Sequence, residues 1–73
     1  MQLTEFIKKL ETANIAYNLD RVRDAVMVVV VVPGERWEVE FMDEGGVEVE
    51  VFRSDGSIQD ETSLSRLFEV HGD

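Results

Sequence analysis

Apolar and polar residues alternate with a period of two in the runs Trp37-Glu38-Val39-Glu40-Phe41 and Val47-Glu48-Val49-Glu50-Val51, which are separated by Asp43-Glu44-Gly45-Gly46. Alternate side chains of a strand point to opposite faces, so the two runs predict a hairpin, with strands at 36–42 and 47–53 and one shared acidic face. Upstream, Leu3, Phe6, Ile7, Leu10 and Ala13 recur at helical spacing while Lys8, Lys9 and Glu11 fall on the other side. This predicts an amphipathic helix over about 4–13, capped by Thr4 and stopped by Asn14, one of the few residues that tolerates positive φ. Ile15, Tyr17 and Leu19 then alternate with Ala16, Asn18 and Asp20, predicting a first strand whose charged end, Arg21-Val22-Arg23-Asp24, suits a sheet edge.

The run Val26-Met27-Val28-Val29-Val30-Val31-Val32 carries no polar residue on either parity and is β-branched at all but one position. It predicts a central strand. Pro33-Gly34 supplies a turn, as does Ser54-Asp55-Gly56-Ser57; Asp60, Thr62 and Ser63 are alternative caps for a last helix with Leu64, Leu67, Phe68 and His71 on one side. Every strand connection is short enough for a hairpin, so the expected fold is α+β: helix, four-stranded antiparallel meander, helix (αββββα), as a single domain spanning 1–73. Both helices are expected on one face of the sheet, because two cylinders about 10 Å across span a four-stranded sheet about 19 Å wide. A frayed end is expected at Gly72-Asp73.

Within the hairpin, Val39 and Phe41 share a face with Val47, Val49 and Val51 only if paired residue numbers sum to an even value, which excludes a two-residue turn at Glu44-Gly45. A three-residue loop, Glu44-Gly45-Gly46, sets Phe41 opposite Val49 and Glu40 opposite Glu50. A five-residue loop instead sets Glu40 opposite Glu48 and Glu38 opposite Glu50. Both place carboxylate against carboxylate, unfavourable by tenths of a kcal/mol to about 1 kcal/mol. The valine strand adds an apolar element to the face left uncovered: either Met27, Val29 and Val31 or Val28, Val30 and Val32 must lie on it. Burial of a valine is worth about 1.5–3 kcal/mol, so an uncovered row is a candidate interface. The candidate interaction residues are therefore Glu38, Glu40, Glu48 and Glu50 on the acidic face and Val28, Val29, Val30 and Val31 in the apolar stripe, with parity open. A two-fold copy is the simplest cover, with Arg21, Arg23, Arg36 or Arg53 meeting the opposing glutamates.

Composition narrows the functional classes. The formal charge is −9, and residues 35–61 hold ten acids against Arg36 and Arg53, a net of −8, whereas 1–34 is neutral. Direct nucleic-acid binding is disfavoured for want of a basic footprint, and a basic protein partner is favoured. There is no cysteine. Neither a disulfide framework nor thiolate metal ligation is possible, and together with an N-terminal stretch unlike a signal peptide this gives a cytoplasmic expectation. The longest apolar run is too short for a membrane span.

Catalytic and metal motifs are weak. Glu40 and Glu50 have the raw spacing of a retaining glycosidase pair, but a flat sheet offers them no cleft. His71 has no organised acid near it, and the serines fall in no nucleophile motif. Aligning Asp55-Gly56-Ser57-Ile58 and Glu61 on a calcium loop puts Val51 and Arg53 at ligand positions, so the match fails. No catalytic, cofactor or metal residue is assigned. Trp37 and Tyr17 are expected in the core, with a ligand pocket between sheet and helices as the alternative.

The segments WEVEF and VEVEVFRSDGSI, followed by a short leucine-phenylalanine helix, resemble a pattern in small acidic, mostly uncharacterised bacterial proteins. Some of these are similar to immunity or antitoxin partners, and the resemblance implies stoichiometric binding to a basic toxin. The leading expectation is a non-enzymatic protein-protein interaction protein, homodimeric through the open sheet face. Two alternatives are a small-ligand-binding protein or enzyme, and a nucleic-acid mimic whose glutamates, about 6.8 Å apart along a strand, imitate a charged backbone.

Overall fold

The computed structural model describes residues 1–72. Helix α1 (Leu3–Thr12) leads into β1 (Tyr17–Val22), β2 (Ala25–Val32), β3 (Glu35–Met42) and β4 (Val47–Arg53), and α2 (Ser63–His71) ends the chain. The strands form one antiparallel sheet in the order β1-β2-β3-β4, the expected meander with the valine strand inside it. Asp73 lies outside the described residues, and with it part of the expected frayed end; Gly72 is the C-cap of α2. No helix among the described residues is long and apolar enough to cross a membrane.

Local chemistry explains the turns. Asn14 takes φ 58° and ends α1 as expected, its N–H donating to the Glu11 carbonyl at 3.1 Å. Pro33-Gly34 closes a two-residue turn between Val32 and Glu35, with Gly34 at φ 78°, the value a type II turn requires at its third position. Arg23, at φ 53°, turns β1 into β2. The cap of α1 lies two residues before the expected Thr4: Gln2 is the N-cap, its backbone N–H lying 3.4 Å from the carboxylate of Glu5, the third helical residue, which thus serves the first turn.

The β3–β4 loop resolves the register. Met42 N–H donates to Gly46 O at 2.8 Å and Gly45 N–H to Met42 O at 2.9 Å, so the loop is Asp43-Glu44-Gly45, with Gly45 rather than Gly46 at positive φ, 109°. The register with Glu40 opposite Glu50, expected of a Glu44-Gly45-Gly46 loop, does not form; the pairing is that of the five-residue alternative, with Met42–Gly46 between Phe41 and Val47, Glu40 opposite Glu48 and Glu38 opposite Glu50. Two cross-strand matches favour it. Arg53 faces Glu35 and donates to it at 3.2 Å, and the Arg36 guanidinium sits 5.5 Å from the Phe52 ring centre. The other register would move Arg53 against Trp37 and separate both pairs.

The core lies between α1 and the centre of the sheet. Leu10 packs with Val28, Val30, Val39 and Phe41, with Leu3, Phe6, Ile7, Ile15, Tyr17, Val32 and Trp37 around them. The Phe6 and Phe41 rings are 5.5 Å apart. Val28, with no exposed surface, is the one fully buried side chain among the described residues. The expectation that both helices cover this face holds for α1 alone. No residue of α2 is buried, and none packs against the core. Residues 54–62, which connect β4 to α2, form local turns of their own.

Candidate functional site

The fold settles which valines are available. Val28 and Val30 face α1 and are buried, so they leave the candidate interface; Val29 and Val31 share the opposite, uncovered face with Met27. Parity could not be read from the run itself because it is apolar on both sides. Cross-strand pairing then builds this open face row by row. One row reads Asn18, Val29, Glu38, Glu50; the next reads Asp20, Met27, Glu40, Glu48; at one end Val31 lies beside Arg36 and Phe52.

The structure therefore brings all four predicted glutamates together, and Glu38, Glu40, Glu48 and Glu50 line a shallow depression on the β3–β4 half. Met27 and Val29 sit half-buried alongside, and Val31 is 66% exposed. The glutamates form a two-by-two block, not a long row. Their neutralisation is minimal: Arg36 is ion-paired with Glu38, while Arg21 is committed to Asp43 at 2.9 Å and Arg53 to Glu35 at 3.2 Å. Glu40, Glu48 and Glu50 have no ion-pair partner among the described residues. Nor does any group of three His, Cys, Asp or Glu there have a metal-holding arrangement.

A second feature lies on the helix side. A cleft of about 280 Å³ opens between α1 and the sheet, lined by Phe6, Leu10, Ile15, Val30, Val32, Trp37 and Glu35. Its polar group is already satisfied. The Glu35 carboxylate accepts from Trp37 Nε1–H at 2.9 Å and from Arg53 Nε at 3.2 Å, and these bonds hold its pKa below the ordinary value. Beside it, the Tyr17 hydroxyl donates to Glu11 at 2.9 Å, which raises the phenol's pKa because the bond requires its proton. The Tyr17 bond thus ties β1 to α1 while the Trp37 bond stays within β3, and both rings pack against the core with their polar tips satisfied.

Sequence reasoning named Met27 in one of its two alternative rows for the open face but missed Phe52. Phe52 follows the alternating run with the same parity as Glu48 and Glu50, so continuing the period by one step identifies it. No known family profile matches the chain, and no curated protein or solved structure matches it either.

Proposed function

We propose that the protein is a non-enzymatic binding module whose open sheet face takes a basic protein partner. The observation that supports this reading most is the apolar row Met27, Val29 and Val31 running beside a glutamate block in which Arg36 pairs with Glu38 while Glu40, Glu48 and Glu50 have no ion-pair partner among the described residues. The charge favours a basic occupant over a second copy on this face: facing copies would set glutamate blocks of the same sign together, and of the four arginines expected to meet them Arg21, Arg36 and Arg53 are already engaged, leaving Arg23 in the β1–β2 turn. A basic partner gains steering from the glutamates and affinity from the apolar row. Stoichiometric masking of a basic protein, as by an immunity protein or antitoxin, is the cellular role this chemistry suits.

A peptide alternating lysine and valine, titrated into isotopically labelled protein, tests it. Amide shifts are expected to centre on Met27, Val29, Glu38, Glu40, Glu48 and Glu50, to weaken with salt, and to vanish in a Glu48→Lys/Glu50→Lys variant. Shifts centred on the α1 side, or unaffected by the charge reversals, would refute the assignment. The cleft beside Trp37 favours a second reading, a site for a small apolar ligand. Its volume of about 280 Å³ falls just below the range for ligand pockets, about 300–1,000 Å³. Quenching of the single tryptophan by a small aromatic compound, with no response to the peptide, would favour that alternative.

A further inference from the structure

From Phe52 to Gly72 every residue except Ser63 is exposed, although the segment includes a formed helix. Leu64, Leu67 and Phe68, at the spacing of one helix face, are all at least half exposed, Phe68 by 70%. An isolated nine-residue helix is marginal in water, so α2 needs a surface to pack on. The chain also has a surface that needs a helix. On the face that α1 occupies, α1 covers the sheet centre but not β4: Val47 and Val49 are 43% and 55% exposed, and Val51 is half-buried beside Trp37. A helix without a sheet and an apolar strip without a helix occur on one chain.

The dimensions agree. A compact monomer of this mass exposes about 4,600 Å² and has a radius of gyration of about 11 Å. This chain exposes 6177 Å² and has a radius of gyration of 15.5 Å. The excess of about 1,600 Å² per chain would become more than 3,000 Å² for two chains, within the range of obligate homodimers. No residue of α2 packs against the core of its own chain, and the connection before it is closed by short-range bonds of its own. Gly56 N–H donates to Ser54 Oγ at 3.0 Å, Ser57 N–H to Asp55 Oδ1 at 2.8 Å and Thr62 N–H to Asp60 Oδ1 at 3.0 Å, while Ser63 bonds Gln59.

We infer that the occupant of the β4 strip is α2 of a second copy, and that two chains exchange these helices reciprocally. Leu64, Leu67 and Phe68 of each copy cover Val47, Val49 and Val51 of the other, completing on both chains the two-helix layer that α1 begins. Because each copy gives a helix and receives one, the interface is isologous and closes at two. The open acidic face remains free, so this inference is independent of the basic-partner reading.

Light scattering on the full chain should give a mass twice 8.3 kDa. Leu67→Glu/Phe68→Glu and, separately, Val49→Glu should halve that mass while circular dichroism shows the sheet retained, since these side chains are exposed within one chain. Val29→Glu, on the open face, should leave the dimer intact. A monomeric parent chain, or a dimer dissolved by Val29→Glu and not by the α2 variants, would overturn the inference. The chain has no cysteine, so a Val49→Cys/Leu67→Cys variant reports topology directly. Oxidation should yield a covalent dimer, whereas an intrachain disulfide in a monomer would show that α2 folds back on its own sheet.

Discussion

Reversing one charge in the glutamate block should strengthen the fold and weaken binding at the same time. Glu48 lies directly opposite Glu40, and neither has an ion-pair partner among the described residues. Side chains opposed in an antiparallel pair have Cβ atoms about 4.5–5.5 Å apart, and an opposite-charge pair there is worth about 0.2–1 kcal/mol. Glu48→Lys removes a repulsion of similar size and adds the attraction, for a gain of about 1 kcal/mol. In a domain of this size that is a rise of about 4–8 °C in Tm. Glu48→Gln, which only removes the repulsion, should give about half. Circular dichroism melts at one protein concentration, in about 10 mM and about 1 M salt, measure both variants. The Debye length falls from about 30 Å to about 3 Å over that range, so most of the gain at this exposed site should disappear. A Glu48→Lys variant no more stable than the parent at low salt would refute the opposed-carboxylate register. If the acidic face is a binding surface, the same variant should bind the lysine-valine peptide less tightly.

Val28→Ala truncates the one fully buried side chain among the described residues and should cost about 2–3 kcal/mol in denaturant unfolding, whereas Val31→Ala on the open face should cost less than about 0.5 kcal/mol; a larger cost at Val31 than at Val28 would mean the face assignment is reversed. Gly34→Ala has free space around its Cβ but must hold φ 78°, so a loss of about 1–2 kcal/mol is expected from backbone strain alone, read from the same unfolding curves. The Trp37 and Arg53 donors hold the Glu35 pKa below its ordinary 4.5, so their stabilisation is complete above that value and is lost as pH falls through the lower folded value. Glu35→Gln should therefore flatten the acid limb of stability against pH. It should not abolish it, because hydrogen bonds from Ser57 and Thr62 lower Asp55 and Asp60 in the same direction. An acid limb identical to the parent's would remove Glu35 from this role.

The order of elements, the hairpins, the central place of the valine strand and the grouping of the four glutamates were all legible in the sequence. Each depends on interactions between near neighbours: a period of two, a Pro-Gly turn, an asparagine that tolerates positive φ. Three things were decided only in the folded chain. The valine run is apolar on both parities, so only the seating of Leu10 and Phe6 against Val28, Val30 and Phe41 shows that Val29 and Val31 face out. Alternation fixes which side chains share a face but not how far one strand slides along the next, and the ion pair of Glu35 with Arg53 and the stacking of Arg36 on Phe52 belong to one register only. The spacing of Leu64, Leu67 and Phe68 shows that α2 has an apolar face, but an amphipathic pattern carries no address for the surface that covers it. That address depends on tertiary packing, and in the folded chain no residue of α2 is buried against the sheet that the sequence alone would have placed beneath it.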